Sequence, residues 1–245
     1  MDAVRRELRQ RNVGHAGTLD PLATGLLVLG VGKATRILEY MQYDKTYEAD
    51  IHLGILTETD DADGARIEER PVPSREELEA AAAKMVGEIS QKPPKYSAVK
   101  VQGRKLYDYA RKGREVEAPE RRVRVDELTL LAFEPPRARF RVRGSKGLYV
   151  RSIARDLGGH VAALRRTACG PFRIEDVGPD LLPMDVALMH LPEVRLTTEE
   201  FHRFENGRTV AREVAPLVRV YCGPRFVGIG ERFGSALKPR KVIQG

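Results

Sequence analysis

Tyr47-Glu48-Ala49-Asp50-Ile51-His52-Leu53 alternates an outward and an inward kind of residue. Successive side chains on a strand point to opposite faces, so the stretch predicts a strand that buries Tyr47, Ala49, Ile51 and Leu53 together. Arg122 to Phe133 and Arg137 to Arg143 predict two more strands around the turn Glu134-Pro135-Pro136. Gly87 to Gln91 predicts another, which Pro93-Pro94 breaks. Helices are interleaved with them. Ser74-Arg75-Glu76-Glu77 is a capping box, in which hydroxyl and carboxylate each satisfy a backbone N–H, and it opens a helix through about Val86. Asp2 to Arg11 has Val4 and Leu8 at helical spacing behind a capping Asp2. After the β-prone run Gly25 to Val31, Lys33 to Gln42 reads as a helix. Leu106 to Lys112 reads as a short helix, and Val150 to Arg165 as one kinked near Gly158-Gly159. This order predicts an α+β fold with a mixed, mainly antiparallel sheet, not a regular βαβ series.

Gly178, Pro179, Pro183 and Pro192 cluster around a composition shift between Val177 and Leu191. Beyond it come a capped helix, Thr197 to Asn206, and short strands at Leu217 to Cys222, Arg225 to Gly230 and Leu237 to Ile243. These predict a small β-barrel-like module. The 245 residues suffice for one good-sized core plus such a module, divided as 1–188 and 189–245.

Composition narrows the function classes. Hydrophobic residues at 42% and charged residues at 31% fit a folded globular chain, not a disordered one. No apolar run approaches the roughly 20 residues of a membrane span. Met1 begins a charged segment, Asp2 to Arg9, unlike a signal peptide. Cys169 and Cys222 form neither a disulfide framework nor a zinc pattern, so a cytoplasmic protein is expected. The net charge of +7 and pI of about 9.5 put nucleic acid first among partners. Part of the excess is concentrated in Lys92, Lys95, Lys100, Arg104, Lys105, Arg111, Lys112 and Arg114, with Tyr96, Tyr107 and Tyr109 between them. Cations for phosphates and rings for stacking bases suit a surface that grips a strand, although a solvated amphipathic helix beside a loop has the same composition.

Several signals fail on inspection. Gly30-Val31-Gly32-Lys33-Ala34 lacks the leading glycine of a phosphate loop, and Ala34 stands where magnesium needs a hydroxyl. Gly228-Ile229-Gly230-Glu231-Arg232-Phe233 has no βαβ unit to follow. Asp60-Asp61-Ala62-Asp63-Gly64 echoes a calcium loop, but Thr59 and Arg70 occupy its first and last ligand positions. The five histidines lack ligand spacing, and neither metal nor cofactor is expected.

Asp20 is the candidate that survives. Pro21 disfavours helical geometry at Asp20, and Gly14 and Gly17 permit a tight loop before it. Spacing alone favours a turn or cap aspartate. The whole run Gly14-His15-Ala16-Gly17-Thr18-Leu19-Asp20-Pro21-Leu22-Ala23-Thr24-Gly25 closely resembles the signature of the TruB family of tRNA pseudouridine synthases. Blocks that resemble the family follow in order: Lys45-Thr46-Tyr47, Leu53-Gly54 through Gly64, Pro93 to Lys100 with Gly103 to Tyr107, Gly147 to Ser152, and Leu164 to Thr167 with Gly170-Pro171-Phe172.

The resemblance implies the pseudouridine synthase fold, an RNA-contacting insertion at about 92–118, and a reduced PUA-like module at 189–245. It implies Asp20 as the nucleophile, with Arg151 paired to it and holding its orientation. Tyr47 would stack on the flipped uracil and is a candidate for removing the C5 proton. Tyr149 and Leu164 would line the pocket, His15 would lie against the T-loop, and Lys100, Arg104 and Lys105 would hold RNA. Taken singly, Tyr47 and Leu164 also read as core, Arg151 as a surface ion pair and His15 as structural. The implied substrate is uridine 55 in the T-loop of tRNA, with the C-terminal module along the acceptor stem and a monomer acting without cofactor. Family members begin with a strand carrying Lys-Pro-x-Gly-x-Thr-Ser, and Met1 falls at about the start of the helix after it, so an open sheet edge is expected. A non-catalytic tRNA-binding protein, inactivated by that lack, is the alternative. A base hydrolase using Asp20 with Asp60 and Asp63 is a third reading.

Overall fold

The computed structural model describes residues 1–97, 99–111, 114, 116 and 118–243, without the side chains of Lys105 and Ala110. In chain order, helix α1 (Asp2–Glu7) precedes strands β1 (Val13–His15), β2 (Ala23–Gly25) and β3 (Leu29–Val31). Two 3-10 turns, Gly32–Arg36 and Leu38–Tyr40, lead to β4 (Lys45–Leu53), β5 (Ile55–Thr57) and β6 (Arg66–Glu69). Then follow α2 (Arg75–Lys84), β7 (Gly87–Gln91), β8 (Lys100–Val101), β9 (Arg104–Lys105) and α3 (Leu106–Ala110). β10 (Arg121–Glu134), β11 (Arg137–Gly144), α4 (Val150–Asp156), β12 (Gly159–Cys169) and β13 (Phe172–Arg173) complete the larger part. β14 (Glu193–Leu196), α5 (Thr198–Glu205), β15 (Leu217–Cys222), β16 (Arg225–Phe233) and β17 (Ala236–Val242) close the chain.

The central sheet runs β13-β12-β4-β11-β10-β7, with β2 added parallel to β12. β4 is flanked by antiparallel β11 and β12, and Tyr47 faces Val142 on one side and Arg166 on the other. The expected alternation holds: Tyr47, Ala49, Ile51 and Leu53 are buried and the residues between them are not. The opposing row of β11 is Ala138, Phe140 and Val142. α2 and α4 cover this face with Leu78, Ala82, Ile153 and Ala154, giving one contiguous apolar core. Fully burying a residue such as Phe140 or Ile51 is worth about 1.5–3 kcal/mol. The Ser74–Glu77 capping box is present in both directions.

Three expectations change. Gly159 to Cys169 is a strand, not the second half of a helix. Gly158 at φ +87 ends the chain path after α4, and register shifts between Val161 and Ala163 and between Arg166 and Ala168 break the period-two pattern that would have marked β12. Lys33 to Gln42 forms 3-10 turns: no side chain caps either segment, and the chain must turn straight from β3 into β4. Asp2 stands inside α1, bonded to Arg5, and Met1 is the cap position. Lys112, the expected end of the short helix and a member of the basic run, lies outside the described residues.

Parallel β14, which the sequence did not suggest, joins β15, β16 and β17 in a second sheet. α5 has the Thr197–Glu200 capping box, and Phe204 enters a core with Leu196, Val218, Val220 and Leu237. A further apolar cluster joins the two parts: Ala16, Ile37, Met41 and Cys169 meet Ile229 and Ile243. Among the described residues, no helix is long and apolar enough to cross a membrane.

Candidate active site

Asp20 sits on the loop between β1 and β2, its side chain 31% exposed. Two arginines fix this loop. Arg151, in the first turn of α4, is 5% exposed, and each of its five N–H groups has a geometric acceptor. Nε donates to Asp20 Oδ2 at 2.9 Å and Nη2 to Asp20 Oδ1 at 3.1 Å, a bidentate grip. Nη2 also donates to the Tyr96 carbonyl at 3.0 Å. Nη1 donates to the Thr59 carbonyl at 3.1 Å and to Asp61 Oδ2 at 3.4 Å. Asp61 is itself pinned, because its Oδ1 accepts from Thr59 Oγ1 and from the Asp63 N–H.

Arg166 is the second anchor, fully buried on β12. It donates from Nε to the Leu26 carbonyl at 2.7 Å, from Nη2 to Gly17 at 3.2 Å and from Nη1 to Thr18 at 3.4 Å. It also bonds the Tyr47 hydroxyl. The backbone comes close here as well. Gly25 has φ +94, and a Cβ on it would lie 2.3 Å from the Arg166 carbonyl oxygen, so only glycine fits.

The expected residues distribute unevenly around this centre. Tyr47 is buried on β4 within electrostatic reach of Asp20 and Arg166. Burial pushes its phenol pKa up, with Arg166 opposing the shift. Leu164 is buried opposite Ala23, directly behind the loop's exit strand. His15 is exposed at the end of β1, where the loop begins. Tyr149 stands at the N-cap of α4, its N–H and carbonyl both bonded to Gln91, and packs on a small cluster of Val99, Leu106 and Ala118. Lys100 and Arg104 are exposed on the β8–β9 hairpin. Lys105 pairs with Lys100 on the backbone, and its side chain lies outside the described residues.

Within the acidic run, Asp61 shares Arg151 with Asp20, whereas Asp60 is turned to Arg155. Asp60 accepts from Arg155 Nη1 at 2.9 Å, and Asp61 faces Arg151. Asp61 and Arg166 are the site residues that sequence reasoning missed. Arg166 alternates with Leu164 only when 159–169 is read as a strand. Asp61 had no signal beyond a failed calcium loop. Among the described residues, no group of three or more His, Cys, Asp and Glu side chains could hold a metal ion.

A carboxylate held in a fork by a saturated arginine, beside a buried phenol, can act as an aimed nucleophile or charge stabiliser. Two family models match the chain: TruB family pseudouridylate synthase (N terminal domain) over residues 5–150, and Pseudouridine synthase II TruB, C-terminal, over residues 192–243. A tRNA pseudouridine synthase B of Azoarcus sp. (strain BH72) is 40% identical, covering 99% of this chain and 89% of that one. One from Streptococcus thermophilus (strain ATCC BAA-250 / LMG 18311) is 39% identical, covering 98% and 92%. Among solved structures, a chain of an H/ACA RNP bound to a substrate RNA containing 2′-deoxyuridine superposes with a TM-score of 0.74 at 20% identity, over 100% of this chain and 80% of that chain. A chain of a Cbf5-Nop10-Gar1 complex gives 0.72 at 23% identity, over 98% and 79%.

Proposed function

The chain belongs to the TruB family of pseudouridylate synthases, and from that premise we propose that it isomerises uridine 55 in the T-loop of tRNA, with Asp20 as the nucleophile. The observation that carries the Asp20 assignment is the bidentate Arg151–Asp20 contact, made by an arginine with no donor left over. Such a fork fixes both the position and the plane of the carboxylate before substrate arrives.

The chemistry needs the target base outside the stack, at a cost of a few kcal/mol. Tyr47 offers a face against which a flipped uracil recovers part of that cost, and Leu164 an apolar wall. The N1–C1′ bond then breaks, the base rotates, and C5 joins C1′. The C5 proton leaves and N1 gains one, so the reaction is a net isomerisation. Asp20 supplies the transient bond or countercharge. Tyr47 enters as a neutral phenol, since burial raises its pKa, and accepting the C5 proton therefore requires it to pass on its own proton. Residues 1–188 form the catalytic domain and 189–245 the reduced PUA-like module, which lies along the acceptor stem. His15 borders the T-loop, and Lys100, Arg104 and Lys105 contact the phosphates. The protein works as a monomer in the cytoplasm.

Pseudouridine mapping of a full-length tRNA transcript after incubation with the protein tests this reading. Modification at position 55, lost when that uridine is replaced by cytidine, is the expected result. Modification elsewhere overturns the site assignment. Free uracil without pseudouridine identifies a base hydrolase, and binding without product identifies a non-catalytic RNA-binding protein.

A further inference from the structure

Lys45 opens β4, pairing with Gly144 on one side and Cys169 on the other, at the end of the strand nearest the Asp20 loop. Its ammonium packs against Gly17. A Cβ built on Gly17, which has φ +108, would lie 2.7 Å from Lys45 Nζ and 3.3 Å from Cε. Lys45 is only partly exposed, and no described carboxylate pairs with it. Its electrostatic neighbours are the Cys169 thiol and two further cations, Arg166 and Lys146. Burial depresses its pKa most, the Cys169 thiol opposes that shift, and the two cations reinforce it. Lys146 itself is held over the Tyr43 ring, 4.4 Å from the centroid. Arg166 donates to three carbonyls and bonds the Tyr47 hydroxyl. The nearest carboxylate of the loop, Asp20, is already matched by Arg151.

Lys45 and Arg166 therefore meet at Gly17 under the catalytic loop, Lys146 adds to the positive charge that Lys45 feels, and among the described residues no carboxylate is paired with Lys45. Such a cluster is self-repulsive when empty and favours a bound anion. We propose that Lys45, assisted by Lys146, is a phosphate subsite that grips the RNA backbone next to the flipped nucleotide. This rests on the RNA-isomerising reading above. The subsite lies under Gly17, on the same loop as Asp20, and a nucleotide carries its own phosphates close to its C1′. A phosphodiester seated on Lys45 would set how far the sugar can travel towards Asp20. It would also compensate the repulsion only once the base has left the stack, so that binding energy is used for flipping.

The test uses T-arm stem-loop RNAs with a single neutral methylphosphonate at each phosphate around the target uridine. Binding is measured with the wild type, Lys45→Gln and Lys45→Arg. One methylphosphonate adjacent to the target is expected to weaken wild-type binding about five- to ten-fold and leave Lys45→Gln unaffected. Lys45→Gln should also lower the log–log salt slope by about 0.7, while Lys45→Arg retains both values. If Lys45→Gln does not fold, Lys146→Gln, on an exposed residue, should show a weaker coupling to the same phosphate. Equal losses for wild type and variant at every position overturn the subsite. So does stabilisation of the protein by millimolar inorganic phosphate without that coupling, which identifies a free-phosphate site. Failure of the wild type to bind any of these RNAs instead overturns the RNA reading together with it.

Discussion

Around Asp20, buried Arg151 has an acceptor for each of its donors, buried Arg166 bonds three loop carbonyls and the Tyr47 hydroxyl, and β2, β4 and β12 lie behind them. On the insertion, Lys100 and Arg104 stand in solvent on a two-residue-per-strand hairpin, over a satellite cluster of Val99, Leu106 and Ala118. One side is over-determined and the other is lightly held. The two are nevertheless tied together through α4. Arg151 bonds the Tyr96 carbonyl with the same Nη2 that holds Asp20, and Ser152 and Arg155 both donate to the Lys92 carbonyl. The difference teaches that chemistry and grip have separate demands. A nucleophile must be aimed before substrate arrives, whereas phosphate contacts tolerate motion.

The largest effects should come from disturbing the rigid side. Arg151→Met strands Asp61 in a buried site without its cation, and should cost about 3–5 kcal/mol in a urea melt. Arg151→Lys keeps the charge but cannot make the fork, and should slow single-turnover product formation on the order of a hundredfold with binding within a few-fold. A wild-type rate in Arg151→Lys would break the distinction between an aimed and a merely neutralised carboxylate.

The insertion should respond in affinity, not in rate. Replacing Lys100 and Arg104 together by Gln should flatten the log–log salt dependence of RNA binding by about 1.4, with the bound-state rate unchanged. An unchanged slope removes these residues from the phosphate contacts.

The smallest effect is a pH term on Tyr47. Its folded pKa lies above its unfolded value, so the stabilisation it gives is complete below about pH 10 and is lost as pH rises through the folded value. Tyr47→Phe should therefore lose less stability than the wild type between neutral pH and the alkaline limit. Parallel alkaline melting curves would show that the phenol is not held away from water.

The rigid side was also the less legible one. The β4 alternation, the Ser74 and Thr197 caps and the β10–β11 hairpin were readable because each is a local pattern with a local cause. Resemblance supplied Asp20, Tyr47, Arg151 and Leu164. Arg166 was hidden because Val161-Ala162-Ala163-Leu164-Arg165-Arg166 has few β-branched residues and two register shifts, so helix and strand readings compete. Asp61 and Lys45 matter through partners far away in sequence, and no spacing rule reports such contacts. The 3-10 turns after β3 were missed because their apolar spacing imitates a helix while the connection to β4 forbids one.

Single-turnover pseudouridine formation by Asp20→Asn, measured beside its affinity for the T-arm stem-loop, tests the central claim most directly. The substitution keeps shape and removes the charge that Arg151 aims. Product should fall below detection while affinity stays within a few-fold of the wild type. Product at the wild-type rate would contradict the assignment of Asp20 as the nucleophile.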